Sequence, residues 1–303
     1  MSIHPRRGMQ LRSLASQRLR ASLFSRVITV IHGDNLAVLA TCRRGTFDLI
    51  YVDPPFNTGR SQRRTQLRTT RAMDAAAGDR TGFGGKRYTS EAVGTQAFAD
   101  RFDDYLGFLM PRLTEARRVL SATGSLFVHL DSREVHYVKV ALDRLFGRAS
   151  FMNEIIWAYD YGARSTRRWP RKHDTILWYA KDPERYTFRP AQSDRLPYMA
   201  PALVTPEKRA RGKLPTDTWW HTIVSPTGKE KTGYPTQKPV AILERIVKVH
   251  SAPGDRLLDF FAGSGSFGEA ADRQGRDVTL VDQSRTAIGV MKKRFAGRRT
   301  RFV

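Results

Sequence analysis

The chain has 303 residues, enough for one large domain or a core with a smaller lobe, and a fold of that size buries roughly 75% of its unfolded surface without disulfides. Its single cysteine, Cys42, excludes an internal disulfide and a cysteine-based zinc site, and no apolar run approaches the roughly 18 residues of a membrane span. With 52 Lys+Arg against 29 Asp+Glu the net charge is +23, which points to a polyanion partner such as nucleic acid, with a merely solvated basic surface as the plainer alternative.

Residues 1–26 carry Arg6, Arg7, Arg12, Arg18, Arg20 and Arg26 and no acid. They read as a basic arm rather than a transit peptide, because a strand follows at once. "VITVIHGD" (27–34) and "FDLIYVD" (47–53) are strands with the helically spaced "NLAVLATCRR" between them, a βαβ unit that predicts a parallel sheet. Residues 60–90 hold Arg63, Arg64, Arg68 and Arg71 among many Gly, Thr and Ser, and read as a long mobile basic loop. A helix is predicted over 102–120, a strand at 124–131, and a helix at 135–147 closed by Gly147. "EIIWAY" and "DTILWYAKD" look like strands, and 182–232 is irregular and rich in Pro, Arg, Lys and Trp. The α/β rhythm resumes with "VAILERIVKVH", "DRLLDFFAGSG", a helix through 272, "DVTLVD" (277–282) and one last helix.

Gly263, Gly265 and Gly268 match G-x-G-x-x-G between a strand and a helix, and Asp282 ends the next strand about 20 residues further on. Backbone amides at a helix N-terminus suit an anion, and a carboxylate at that distance suits ribose hydroxyls. Taken alone, the pattern is weak and fits a dehydrogenase, with an ordinary tight strand–helix turn as the plainer alternative. Its position argues otherwise, since after Asp282 too little chain remains for the rest of a sheet. A lone βαβ unit cannot bury its faces, so the missing strands must come from residues 27–53. The expected fold is therefore α/β, with a doubly wound, mostly parallel sheet. Asp34, Asp53, Asp259 and Asp282 each end a strand, where ligands bind in open parallel sheets.

Four stretches in order, "HGDN" (32–35), "DPPF" (53–56), "YPTQKP" (234–239) and "DFFAGSG" (259–265), resemble those of an S-adenosylmethionine-dependent DNA amino-methyltransferase of the permuted β class. Tyr234 stands where that family usually has histidine, and the arginine-rich 60–90 segment has no counterpart in the pattern. The resemblance implies a circularly permuted, Rossmann-like methyltransferase core with a small target-recognition insertion. On that plan 1–26 is an arm, 27–181 the catalytic half, 182–232 the target-recognition region and 233–303 the donor-binding half. It also implies S-adenosyl-L-methionine as cofactor, double-stranded DNA as partner, and a cognate restriction endonuclease as a second partner. A cytoplasmic monomer or homodimer, with no membrane and no metal, completes the expectation.

The chemistry explains the tetrad. An exocyclic amino group is a poor nucleophile because its lone pair is delocalised into the ring. Accepting its N–H groups in hydrogen bonds frees that pair: Asp53 supplies a charged acceptor and the Pro54 carbonyl a second. Pro54 and Pro55 hold the acceptors rigidly, and Phe56 offers a face for stacking an extruded base. By resemblance, Asp259, Phe260, Phe261, Ala262, Gly263, Ser264 and Gly265 wrap the donor's methionine portion, with Asp53 bordering it. Asp282 holds the ribose hydroxyls, Asp34 the adenine amino group, and Thr236 and Lys238 the methionine carboxylate. Two plainer readings stay open: Asp34 as a helix cap and Lys238 as a surface charge. Arg63, Arg64, Arg68, Arg71, Arg167, Arg168, Trp169, Arg171 and Lys172 are the expected DNA contacts. Trp219 and Trp220 suit either base stacking or the core of a small lobe. The aspartate that opens the tetrad leans the target toward adenine N6 over cytosine N4. An RNA or protein amide as acceptor, and a DNA-binding protein with a vestigial donor site, are the remaining alternatives.

Overall fold

The computed structural model describes residues 26–59, 62–71, 80–81, 87–98, 100–162, 164–225 and 228–303, which fall into two units, 26–54 with 109–303 and 55–108. The expected arm at 1–26 lies outside the described residues, except for Arg26. In chain order the strands are β1 (Ile28–His32), β2 (Phe47–Val52), β3 (Gln62–Arg71), β4 (Arg80–Thr81), β5 (Arg87–Phe98), β6 (Leu120–Leu130), β7 (Phe151–Ala158), β8 (His173–Ala180), β9 (Thr218–Trp220), β10 (Arg256–Asp259), β11 (Asp277–Asp282) and β12 (Thr300–Phe302). The helices are α1 (Asn35–Thr41), α2 (Tyr105–Val119), α3 (Val135–Phe146), α4 (Pro206–Arg211), α5 (Val240–His250), α6 (Ser266–Arg273) and α7 (Arg285–Arg294).

Among the described residues the first unit holds one nine-stranded sheet in the order β12-β1-β11-β10-β2-β6-β8-β7-β9. All neighbours pair in parallel except at β8, which runs against both β6 and β7. The apolar runs become strands because both faces are covered: β2, β6 and β8 are buried over most of their length. On one face Leu49, Tyr51, Phe127 and Ile176 pack with Val240, Leu243 and Val247 of α5 and with Phe267 and Ala270 of α6. Ile50, Val52, Leu126 and Val128 alternate with these and so face the other side. Leu39 of α1, Leu113 of α2 and Leu142 of α3 are fully buried outside the first cluster and cover that second face.

The topology decides where a ligand fits. From β10 the chain passes through α6 to β11 on one side, and from β2 it proceeds to β6 on the other. The direction of winding therefore reverses between β10 and β2, which pair through Leu257–Leu49 and Leu258–Ile50. In open α/β sheets the crevice at the carboxyl ends of such a pair is the ligand site. Asp259 ends β10, and Asp53 follows directly on β2. The βαβ unit of β10, α6 and β11 does share a sheet with residues 28–52, as expected.

Two expectations need correction. The 60–90 stretch is not simply a loop: β3 pairs antiparallel with β5, which also pairs with β4, in a separate three-stranded sheet. Its alternation of Thr65, Leu67 and Thr69 with Arg and Gln is a strand pattern, masked in the sequence by its arginine content. After α7 the chain adds β12, an edge strand beside β1, where only a helix was expected. The irregular 182–232 region contains α4, β9 and two single-turn helices at Pro190–Gln192 and Pro201–Leu203.

The third glycine of the loop is a packing residue. A Cβ on Gly268 would lie 2.5 Å from Leu280 Cδ1 and 3.0 Å from Phe295 Cζ, so its absence is what lets α6 lie against β11. Leu280 is fully buried and Phe295 nearly so. We expect Gly268→Ala to destabilise the fold by about 1–3 kcal/mol, the usual cost of overpacking a filled core, read as a lower midpoint in denaturant unfolding.

Candidate functional site

Three carboxylates meet at the carboxyl ends of β2, β10 and β11, because parallel strands in register end together. Asp282 is held by two backbone amides: Gly263 N donates to Oδ2 at 2.8 Å and Ser284 N to Oδ1 at 2.8 Å. Burial pushes its carboxyl up, opposed by those two amides and by His32. Asp259 accepts from Phe261 N at 2.9 Å and is 3% exposed. Burial drives its carboxyl well above the ordinary range, and the negative charges of Asp53 and Asp282 add to the effect. Lys238 Nζ lies 2.7 Å from Asp53 Oδ2, in an ion pair whose side chains are 10% and 17% exposed. Asp53 Oδ1 is buried and has no hydrogen-bond partner among the described residues.

The glycine loop owes its shape to two left-handed residues, Gly263 at φ +49° and Gly265 at φ +74°. A Cβ on Gly263 would approach Tyr234 Cε1 to 3.2 Å, and one on Gly265 would reach Met291 Cγ at 2.9 Å. Ala262 N donates to Val281 O at 3.1 Å and Gly265 N to Ala262 O at 2.7 Å, which ties the loop to β11. Phe260 and Ala262 are buried, as is Ser264, whose hydroxyl lies 3.1 Å from that of Ser266. Tyr234, at the position where histidine was expected, packs against the apolar core; burial, then Asp282 and Asp53, raise its phenol well above the ordinary value.

The "YPTQKP" stretch is a braced loop in front of α5. Thr236 sits at φ +59°, a conformation that costs a β-branched residue on the order of 1–3 kcal/mol. Gln237 Oε1 accepts from Thr232 N at 2.8 Å and from Thr232 Oγ1 at 2.7 Å, while its Nε2 donates to Glu230 O at 2.8 Å. Glu230 Oε1 in turn accepts from Val240 N at 2.8 Å. Lys238 is thus carried on backbone fixed from both sides. It sits on Asp53, away from the surface.

Asp34 takes the capping role: Oδ1 accepts from Ala37 N at 3.0 Å, and Oδ2 lies 3.2 Å from Arg112 Nη2. Its neighbour Asn35 does what was not foreseen, donating from Nδ2 to Phe260 O at 2.8 Å while Arg112 Nε donates to Asn35 Oδ1 at 2.6 Å. A second unforeseen group is a buried chain behind β2. Tyr51 Oη lies 2.7 Å from His129 Nδ1, His129 Nε2 lies 3.2 Å from Asp174 Oδ2, and Tyr159 Oη donates to Asp174 Oδ1 at 3.3 Å. A carboxylate only accepts, which makes Nε2 the donor and leaves Nδ1 for the Tyr51 hydroxyl. Burial works against the Asp174 carboxylate, but its hydrogen bond from His129, with the positive charge of Lys238, outweighs it and holds the group below the usual range. A lone polar residue in an apolar strand carries no such signal in a sequence.

The tetrad crosses the boundary between the two units. Asp53 and Pro54 belong to the first, and Pro55 and Phe56 open the second. Within the second unit Tyr105 Oη donates to Pro55 O at 2.7 Å, Phe102 N to Asn57 Oδ1 at 2.9 Å, and Thr58 Oγ1 to Asp100 Oδ2 at 2.6 Å. Of the expected DNA contacts, Arg63, Arg64, Arg68 and Arg71 fall on β3. Trp169 is 93% exposed, the amides of Arg167 and Arg168 turn onto Ser165 Oγ, and Lys172 Nζ lies 3.7 Å from Asp160 Oδ1. Arg168 and Arg171 line a cavity of about 350 Å³ with Arg133, Tyr159 and Asp174. The two tryptophans divide: Trp219 is 8% exposed with Arg245 stacked 4.9 Å over its ring, whereas Trp220 is 76% exposed.

The raised Asp259 carboxyl has a consequence for stability. A folded-state value above the ordinary 3.8 means that the folded protein binds more protons than the unfolded one in the window above 3.8, so this group's contribution falls as pH rises through that window. Asp259→Asn keeps an oxygen for Phe261 N and removes the titration. The variant is expected to lose less stability than the parent as pH rises above about 4, measured by urea unfolding across pH.

A family profile described as DNA methylase, of the N6/N4 type, matches residues 47–293. Among curated proteins, the type II methyltransferase M.HpaI of Haemophilus parainfluenzae is 27% identical over 88% of this chain and 73% of its own length. The DNA adenine methyltransferase YhdJ of Escherichia coli K12 is 29% identical over 84% of this chain and 78% of its own. Among solved structures, PvuII DNA methyltransferase (cytosine-N4-specific) superposes with a TM-score of 0.61 at 15% identity, covering 90% of each chain. The M1.HpyAVI–SAM complex gives 0.57 at 19% identity, covering 89% of this chain and 99% of its own. These two share the fold, and the profile match runs through both the tetrad and the glycine loop: the chain belongs to the N6/N4 DNA methylase family.

Proposed function

We propose that this protein transfers a methyl group from S-adenosyl-L-methionine to the exocyclic N6 of an adenine extruded from duplex DNA. The observation that carries the proposal is Asp53, at the switch-point crevice, with one oxygen held by Lys238 and the other buried and without a hydrogen-bond partner among the described residues. A buried carboxylate oxygen left without a hydrogen bond costs about 1–3 kcal/mol, a cost that an arriving N–H donor relieves.

The residues present suit the donor. Gly263 leaves the backbone of the turn bare where a side chain would meet Tyr234. Each oxygen of Asp282 already accepts one amide and keeps a second lone pair for a hydroxyl. Asp53 and Asp282 outnumber Lys238, an excess of acid that suits a ligand carrying a sulfonium and an ammonium. When bound, the donor supplies an electrophilic methyl on positively charged sulfur. The protein's part is to orient and polarise: Asp53 Oδ1 accepts one amino N–H and the Pro54 carbonyl accepts the other, which frees the amino nitrogen's lone pair from delocalisation into the ring and aims it for attack, with one amino proton given up as the methyl is gained. Phe56 stacks the base. The arginines of β3 and of 164–171, in a chain of charge +23, take the phosphates.

The preference for adenine rests on the aspartate that opens the tetrad and on the adenine-specific relative at 29% identity. A role beside a cognate restriction endonuclease follows the type II relatives, and it belongs to the same proposal. Digestion of methylated duplex to nucleosides, followed by mass spectrometry, is expected to give N6-methyladenine; N4-methylcytosine as sole product overturns the choice of base and leaves the clamp standing. Asp53→Ala is expected to lower the single-turnover rate by about 10²–10³-fold with both substrates saturating, the usual loss for a group that acts as charge develops. A rate close to that of the parent would remove Asp53 from the chemistry.

A further inference from the structure

Lys238 is 9% exposed, and a buried ammonium persists only where it is paired. It forms an ion pair with Asp53 Oδ2, at 2.7 Å. The backbone on either side is braced, by the Gln237 bonds to Thr232 and Glu230 before it and by the bond from Val240 N to Glu230 after it. Such a lysine is not a free arm that swings to whatever anion arrives. Acids and phenols that feel the charge of one or other member of the pair include Asp259 from β10, Asp174 from β8, Tyr51 from β2 and Tyr234 from the loop before α5. The two oxygens of Asp53 are therefore unlike: Oδ2 is held by a fixed cation, and Oδ1 is buried without a partner.

We propose that Lys238 is a positioning residue for Asp53: its ammonium holds Oδ2, sets the plane of the carboxylate, and so presents Oδ1 as the acceptor for the target amino group. This differs from a role on the donor's methionine carboxylate, and it rests on the reading of Asp53 given above. A carboxylate free to rotate about its side-chain bonds offers its lone pairs over a wide cone, and the hydrogen bond that polarises an amino group needs them in one direction. Lysine at this place restricts the rotation without blocking the working oxygen.

The test compares Asp53→Asn, Lys238→Met, Lys238→Arg and the double variant Asp53→Asn/Lys238→Met, with folding checked by circular dichroism. S-adenosylmethionine affinity is measured by titration calorimetry, and single-turnover methylation of duplex with both substrates saturating. Lys238→Met is expected to bind S-adenosylmethionine within about threefold of the parent yet methylate about 10²-fold more slowly, a kcat loss without a binding loss. Lys238→Arg, which keeps a cation on Oδ2, should recover about a tenth or more of the rate. The double variant should be no slower than Asp53→Asn alone, because a residue that acts through Asp53 has nothing left to act on. About tenfold weaker donor binding with an unchanged saturated rate, or additive losses in the double variant, overturns the proposal and assigns Lys238 to the donor. An unimpaired Asp53→Asn variant instead removes the underlying reading of the tetrad, so the two failures are told apart.

Discussion

The pairing of β10 with β2 is the contact on which the rest of the molecule depends. It joins residues about 200 positions apart in the chain, through Leu257, Leu258, Leu49 and Ile50, all fully buried. At the opposite end of the pair, Asp48 Oδ2 accepts from Arg256 N at 3.0 Å and fixes the register from below. With the register set, the two strands end side by side and turn away from each other. That divergence opens the crevice into which Asp53 and Asp259 project. A slip of one residue would turn each alternating side chain to the other face and move Asp53 out of the site.

Gathering Asp53, Asp259 and Asp282 in a buried place works against stability, and the structure offsets this with directed hydrogen bonds and an ion pair. Asp282 and Asp259 take backbone amides from the glycine loop and the turn after β11. Those bonds also shape the loop, so the acids and the donor cradle are built from one set of contacts. Asp53 is held differently. It has Lys238, a partner that leaves one oxygen open. The cluster thus holds two acids fixed by backbone amides and one fixed by a cation on one oxygen.

The one antiparallel strand of the sheet has a purpose visible in the site. Because β8 runs against β6, its first residues reach the carboxyl ends of the parallel strands, and Asp174 arrives beside His129 and Tyr159. The Tyr51–His129–Asp174 chain thus links β2, β6 and β8 directly behind the tetrad. The residues that lead into β8 carry Arg164, Arg167, Arg168 and Arg171, so the same reversal brings the basic segment to that edge. A parallel strand in that position would have placed its leading loop at the far end of the sheet.

Much of this was legible in the sequence, for a physical reason. Strands buried on both faces must be apolar along their length, glycines must stand where φ is positive, and acids at strand ends must follow those runs, so "FDLIYVDPPF" and "LLDFFAGSG" announce their places. The need for strands to complete the last βαβ unit even revealed that the two halves share one sheet. Charge obscured the antiparallel strands in 60–90, where a period-two pattern is written in threonine and arginine, and the brevity of β12 hid an edge strand. What the sequence left undecided was which polar group meets which. Asp34 as cap, Asn35 on the Phe260 carbonyl, Trp219 inside and Trp220 outside, Tyr51 on His129, and Lys238 on Asp53 were settled only by tertiary structure. Hydrophobic burial is read from periodicity, because it depends on area and face alone. A hydrogen bond or ion pair depends on distance and direction to within a fraction of an ångström, and those exist only once β1, β2, β10 and β11 have come together.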